Sequence, residues 1–581
     1  MTRPSYDLVV RNGYVVDGTG LPGIRADVGV RDGRIVAVGH LGGEAAGQVV
    51  DADGLVVAPG IVDAHTHYDP QLTFDPYATS SVFHGVTTVL AGNCGFSLAP
   101  CRERDRDFQA RLFAKVEGMS PLALGGVQWD FETFPEFLAA RDGKLGINLG
   151  CYIGHSSIRR WVMGAEASER AATTDEVDAM REVVRDAMAA GAAGFSSSHA
   201  PTQLDGDDRP IPSRQATDEE LFALAEEAGR ANAGTLAYLP YSAVGGLNPD
   251  DEERLIRLSL ATRLPVIIQG LGGKSKVDAP ADWPGAKRFL DEASARGAAV
   301  YSLLRCQPFD RPFTLAAGSS LYDGVFPWRD LLLLSLAEKR ARLADPAARA
   351  ELRTAVEHPN TDGSKGSTLP PPQWHVVFVS RVTQPAHEKY LRRSMADIAR
   401  ELGVAPADAM LDLALAEDLQ MEFRWSSENE GWIDSVAETQ RDPHLVIGVS
   451  DGGAHLDRDD GSEWSTYFLR SWVLDRGIWS LEEGIRQITS LPALLCDFPD
   501  RGLVQEGCWA DLMIFDRDAI RLDTKGPVAD FPGGESRFSA RPAGVHATVV
   551  NGTVVVRDGE LTGDLPGRVI RPAPERGGAV R

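Results

Sequence analysis

The sequence predicts an α/β protein: a parallel (β/α)8 barrel of the TIM type, with a small β-sandwich formed by both chain ends. Three observations carry this. The long middle of the chain alternates short apolar strands with helical stretches. Both ends are dense in hairpin signals. An apolar run at the first boundary, Ile61-Val-Asp-Ala-His-Thr-His-Tyr-Asp69, stops at two histidines one residue apart.

From residue 7 to about 57, short β-branched runs alternate with turn dipeptides: Leu8-Val-Val, Asn12-Gly, Tyr14-Val-Val, Asp32-Gly, Ile35-Val-Ala-Val and Asp53-Gly. Asn-Gly and Asp-Gly accept the positive φ angles of two-residue hairpin turns, so an antiparallel unit is expected here. The other end has the same texture: Ala510-Asp-Leu-Met-Ile-Phe515, His546-Ala-Thr-Val-Val550, Asn551-Gly, Val554-Val-Val and Asp558-Gly. The two ends are expected to pair, with residues 1–57 and 503–565 as the parts of one sandwich.

Between them, residues 58–502 carry the barrel. Apolar strands are read at Ile61-Val62, Val86–Leu90, Ile147–Ile153, Ala192–Phe195, Thr235–Tyr238, Pro265–Ile268, Ala298–Tyr301 and Leu445–Val449. Helices fall between several of them. One opens at Thr174-Asp-Glu-Val177 and runs to Ala190, and Thr217 caps another with Glu220 as its capping-box acid. Parallel strands with helical crossovers close into a barrel. An open doubly wound sheet is the alternative, but no Gly-X-Gly-X-X-Gly turn supports a dinucleotide site. The interval of about 306–440 exceeds an ordinary barrel connection and reads as an inserted lobe, with Asp362–Pro372 as a loop inside it. Residues 566–581 read as a flexible tail.

Composition narrows the function. The 581 residues are too many for one core. Against 59 basic residues stand 83 acidic ones, a net charge of −24. Nucleic acid and anionic membrane are therefore poor partners, and a small-molecule substrate is expected. The start has no apolar signal region and no run of about 18 apolar residues occurs, so a cytoplasmic location is expected. Homo-oligomerisation stays open. The six cysteines (Cys94, Cys101, Cys151, Cys306, Cys496 and Cys508) include no Cys-X-X-Cys pair, which argues against both a zinc ribbon and a disulfide framework. Cys94 stands apart, at the exit of a strand between glycines, in Gly92-Asn-Cys-Gly95.

A strand turns alternate side chains to one face. His65 and His67 therefore point the same way from its end, the geometry in which two imidazoles hold one ion.

The residues resemble the amidohydrolase superfamily, and within it the N-acyl-D-amino-acid deacylase (D-aminoacylase) group. The motifs span nearly the whole chain: Val16-Asp-Gly-Thr-Gly20, Ala58-Pro-Gly-Ile-Val-Asp-Ala-His-Thr-His67, Gly85-Val-Thr-Thr-Val89, Gly92-Asn-Cys-Gly95, Gly191-Ala-Ala-Gly-Phe-Ser196, Ser450-Asp-Gly452, Thr489-Ser-Leu-Pro-Ala493 and Ala510-Asp-Leu-Met513. The resemblance implies a metal-bearing barrel with a small β-sandwich, and hydrolysis of an amide C–N bond that is not a peptide bond. It assigns His65, His67, Cys94 and Asp451 as metal ligands, Zn2+ as the expected ion, and Asp451 as the general acid/base. The same fold also supports ester, lactone or cyclic-amide hydrolysis, a lyase reaction, or a non-catalytic small-molecule binder.

Two departures stand out. The deacylases carry a histidine after the fifth strand and another after the sixth, where this chain has Tyr238 and Gly270. Three histidines at strand ends could complete the shell or contact substrate: His155, His199 and His455. Tyr238, Lys274, Tyr301 and Arg305 are the candidate substrate contacts, the two cations as partners for a substrate carboxylate.

Overall fold

The computed structural model describes residues 5–43, 45–243, 246–273, 283–308, 310–317, 320–322, 325–358, 373–428, 430–455, 461–523 and 525–572. The loop expected at Asp362–Pro372, Lys274, and residues 573–581 of the expected tail lie outside these. Residues 567–570 of that tail are not free but pair with the barrel, Gly567 N–H donating to Leu145 O (2.7 Å) and Ile570 N–H to Leu149 O (2.9 Å). The chain divides into two compact units: Met1–Gly273 with Ala281–Gln307 and Val436–Arg581, and Lys274–Pro280 with Pro308–Ser435.

In the first unit the two chain ends share one nine-stranded sheet. The N-terminal part supplies β1 (Tyr6–Val15), β2 (Ile24–Arg31), β3 (Arg34–Gly39), β4 (Ala46–Asp51) and β5 (Val56–Pro59). The C-terminal part adds Leu512–Phe515, Val545–Val550, Thr553–Arg557 and Glu560–Leu561. The seam is antiparallel, with Leu512 opposite Pro59 and Ile514 opposite Val57. Leu8, Val28, Val57, Leu512, Ile514 and Val549, from both ends, bury one core. At Asp32-Gly33, Asn551-Gly552 and Asp558-Gly559 both residues have positive φ, the backbone a tight two-residue hairpin requires. Asn12-Gly13 behaves differently. It is a bulge inside the continuous β1, where the Asn12 N–H donates to Asp27 Oδ1 at 2.8 Å. A Cβ on Gly13 would stand 2.4 Å from Val57 Cγ2, so close packing fixes that glycine rather than a turn.

The barrel strands are β6 (Ile61–Asp63), β7 (Val86–Ala91), β8 (Asn148–Gly154), β9 (Gly194–Ser198), β10 (Thr235–Leu239), β11 (Val266–Gln269) and β12 (Val300–Leu304). The second unit follows in sequence, with its own antiparallel sheet of β13 (Asp310–Thr314), β14 (Val377–Arg381) and β15 (Glu422–Ser426) and a core around Trp328, Tyr322 and Phe423. The chain then returns in β16 (Leu445–Ile447). The eight barrel strands run parallel in the order β16, β12, β11, β10, β9, β8, β7, β6. Closure comes just past the first and last strands: Ala64 N–H donates to Gly448 O (3.0 Å), His67 N–H to Gly452 O (2.7 Å) and Asp451 N–H to His65 O (3.2 Å). Thr66 and Gly452 form a parallel bridge there.

Two local readings change. Thr217 does cap the helix Asp218–Gly229, accepting from Glu220 N–H. The Glu220 side chain does not complete a capping box, because it turns to His155 and Arg159. β12 starts two residues later than the sequence suggests, so Tyr301 lies near its beginning. Among the described residues, no helix is long and apolar enough to cross a membrane.

The seam yields a prediction. A chain ending near residue 502 leaves the β5 edge unpaired and its half of the core open, and exposed apolar edges aggregate. Expression and sedimentation should find it insoluble; a soluble product that unfolds cooperatively would contradict the seam's role.

Candidate metal centre

Parallel strands put all their C-terminal ends on one rim, and closure brings the exits of β6 and β16 together. The exit of β6 carries His65 and His67, the turn after β7 carries Cys94, and the turn after β16 carries Asp451. The donor atoms of His65, His67 and Cys94 lie within 4.8 Å of one another. His65 Nε2 stands 3.6 Å from Cys94 Sγ and 3.4 Å from Asp451 Oδ1. Donors around a tetrahedral zinc, with Zn–N of about 2.0 Å and Zn–S of about 2.3 Å, sit roughly 3.3–3.6 Å apart, so both separations match edges of one coordination shell.

The electrostatics agree. Burial pushes both imidazoles down to about 3, which leaves them neutral, the form that binds metal. Burial, then the charges of Glu117 and Asp451, push the Cys94 thiol well up, so an ion binding there displaces a proton. His67 stacks on Phe96, and its Nδ1 is buried without a hydrogen-bond partner. A buried orphan nitrogen, two neutral imidazoles, a thiol and a carboxylate together fit a divalent cation.

Each residue of Gly92-Asn-Cys-Gly95 has a local reason. A Cβ on Gly92 would sit 2.2 Å from Tyr152 O, and one on Gly95 2.8 Å from Ser198 N. Asn93 Nδ2 donates to Leu90 O (2.9 Å) and Thr66 O (3.3 Å), tying the turn to the exit of β6. Buried Asp69 accepts from Gly92 N–H (2.9 Å) and Leu98 N–H (3.1 Å), and desolvation raises its carboxyl to about 6. Behind the histidines, burial raises Asp63 to about 7, and Trp464 Nε1–H donates to it at 3.0 Å. Cys94 (φ +54°), Asp451 (φ +61°) and His455 (φ +54°) hold left-handed backbone without being glycine. Such strain, of order 1–3 kcal/mol each, gathers where side chains must be aimed.

The other candidates divide. Tyr238 lines a small cavity with His65, Cys94 and Gln269, and its hydroxyl meets His199 Nδ1 at 2.9 Å. Arg305 donates to Ser450 O at 3.2 Å and lies 3.8 Å from Asp451 Oδ2. His455 Nε2 is 3.9 Å from Glu117 Oε2. His155 is not brought to the group: its nitrogens are taken up by Ser197 Oγ (2.9 Å) and Glu220 Oε1 (2.8 Å). Tyr301 packs by His444, which precedes β16, and so lies toward the opposite rim. The residue that β11 turns toward His65 is Gln269, whose amide nitrogen lies 2.7 and 2.8 Å from the two ring nitrogens. Gly270 only follows it, in left-handed backbone. Sequence reasoning missed Gln269 and Glu117. Glu117 closes helix α1 (Arg106–Glu117), is buried, and places Oε1 3.7 Å from His67 Nε2. Its one sequence signal is an acid at a helix C-terminus, where the macrodipole disfavours it.

Comparison with known proteins adds the following. The model of the amidohydrolase family matches residues 48–556. The chain is similar to D-aminoacylase of Alcaligenes xylosoxydans xylosoxydans, at 29% identity with 97% of each chain covered. A solved D-aminoacylase structure superposes with a TM-score of 0.62 at 25% identity, covering 97% of this chain and 100% of that one. N-acyl-D-glutamate deacylase from Bordetella bronchiseptica, solved with zinc and a phosphonate mimic of the tetrahedral intermediate, shares the fold with a TM-score of 0.60 at 24% identity, covering 97% and 99%.

The geometry predicts that Cys94→Ala, expressed in zinc-supplemented medium, loses most of its bound metal by elemental analysis. Wild-type metal content in that variant would move the site off Cys94.

Proposed function

The chain belongs to the amidohydrolase family and is a hydrolase of C–N bonds other than peptide bonds, and from that premise we propose that it deacylates N-acyl-D-amino acids with a Zn2+ ion on His65, His67, Cys94 and Asp451. The observation that carries this reading is His65 Nε2 lying 3.6 Å from Cys94 Sγ and 3.4 Å from Asp451 Oδ1 on the closed rim. Similarity to D-aminoacylase over 97% of the chain supports the substrate class. A thiolate among nitrogen and oxygen donors favours zinc over the harder divalent ions. Five further cysteines, buried and unpaired, suit a reducing compartment such as the cytoplasm.

A zinc ion held by these residues would polarise the scissile carbonyl and lower the pKa of a water toward about 7. The chain's own residues do the rest. Asp451, on left-handed backbone in the turn after β16, takes the proton of the attacking water at its carboxylate and delivers it to the nitrogen of the departing amine. Arg305 holds the Ser450 carbonyl beside it, and its guanidinium lies 3.8 Å from the Asp451 carboxylate. The Tyr238 hydroxyl and the Gln269 amide line the cavity beside His65 and Cys94 and offer hydrogen-bond donors to the polar groups of a substrate.

A panel of N-acyl-D- and N-acyl-L-amino acids, assayed on zinc-loaded protein, should show turnover with a preference for the D series; turnover confined to lactones or to L substrates would refute the assignment. Asp451→Asn keeps the size and one acceptor oxygen but removes the base, so turnover should fall about 10² to 10⁴-fold with unfolding unchanged. Near-native turnover would move the base elsewhere.

A further inference from the structure

The fifth and sixth barrel strands bring no imidazole to the rim: β10 carries Tyr238 near its end and β11 ends in Gln269. A carboxylate reaches the same histidines from outside the strands. Glu117 is the last residue of α1, its side chain is 4% exposed, and its two oxygens face two different imidazoles: Oε1 lies 3.7 Å from His67 Nε2, and Oε2 lies 3.9 Å from His455 Nε2. Both distances are too long for hydrogen bonds and close to the spacing of donors that share an ion. The placement is also built. The Glu117 carbonyl accepts from His455 N–H, and His455 holds φ +54°, so the turn after β16 is fastened to the end of α1. Gly118, at φ +62°, stops the helix there. Glu117 thus stands against the same buried group of side chains as Asp451 and Cys94.

We propose that Glu117 is a ligand of the metal centre, joining His67 and His455 to it and supplying the donor that the fifth and sixth strand ends lack. This rests on the metal reading given above.

Cobalt(II) uptake and zinc competition against a chromophoric chelator test it in wild type, Cys94→Ala and Glu117→Gln. The amide in Glu117→Gln keeps the shape and a carbonyl acceptor but loses the charged donor. Expected are a thiolate-to-cobalt band in wild type that is absent from Cys94→Ala, and a Glu117→Gln protein that keeps this band, shows altered d–d bands, and binds zinc more than about 10²-fold more weakly. That loss exceeds what removal of an outer hydrogen-bond partner alone tends to cost. Unchanged d–d bands, or a zinc affinity within about tenfold of wild type, would overturn the Glu117 assignment while leaving the Cys94 site intact. Failure of wild type to take up cobalt would overturn the metal reading itself. Metal-free Glu117→Gln should unfold at the wild-type temperature; if it does not, Glu117→His, which restores a donor, should recover the wild-type zinc affinity, and failure to do so overturns the proposal.

Discussion

The site depends on the hydrogen bonds that close the barrel past β6 and β16. Ala64 to Gly448, His67 to Gly452 and Asp451 to His65 are backbone contacts between segments far apart in sequence. They fix the exit of the first strand against that of the last to within a hydrogen-bond length. The His65 carbonyl receives the Asp451 N–H, and the side chains of the same two residues meet at 3.4 Å. Without closure, each donor would sit on a separate strand end with no reason to share an ion.

Closure alone does not aim the side chains, and the strained backbone at Cys94, Asp451 and His455 supplies that. Its energetic cost is offset by a well-satisfied surround. Asp69 holds the Gly92–Leu98 turn through two N–H groups, Asn93 joins the exits of β6 and β7, and Trp464 donates to the buried Asp63. A metal site needs donors held still before the ion arrives, because any freedom lost on binding weakens affinity. The buried, neutral histidines and the suppressed thiol ionisation are what the proposed divalent cation would meet.

Much of the fold was legible because it rests on local chemistry. Asp32-Gly33, Asn551-Gly552 and Asp558-Gly559 form the hairpin turns that their residue types favour, and the alternation of apolar strands with helices gives a parallel barrel. The same dipeptide at Asn12-Gly13 became a bulge, because Asp27 and Val57, distant in sequence, decided its surroundings. His65, His67 and Cys94 could be singled out since each follows a strand, and strand exits share a rim; Asp451 was named by the family resemblance. Tyr301 was misplaced by two residues in the start of β12, enough to move it toward the other rim. Gln269 was missed by one position for a similar reason. Glu117 could not be found this way at all: it belongs to a helix end, and only tertiary contact with His67 and His455 marks it. His155 looked like a site residue by position, but what it meets is Glu220, which the sequence suggested as a helix-capping acid.

The central claim is that one closed rim brings a thiolate and two imidazoles onto a single ion. X-ray absorption at the zinc edge on the zinc-loaded protein tests it most directly. The account predicts one sulfur scatterer at about 2.3 Å together with nitrogen and oxygen scatterers at about 2.0–2.2 Å. A shell of nitrogen and oxygen alone, with no sulfur, would contradict it.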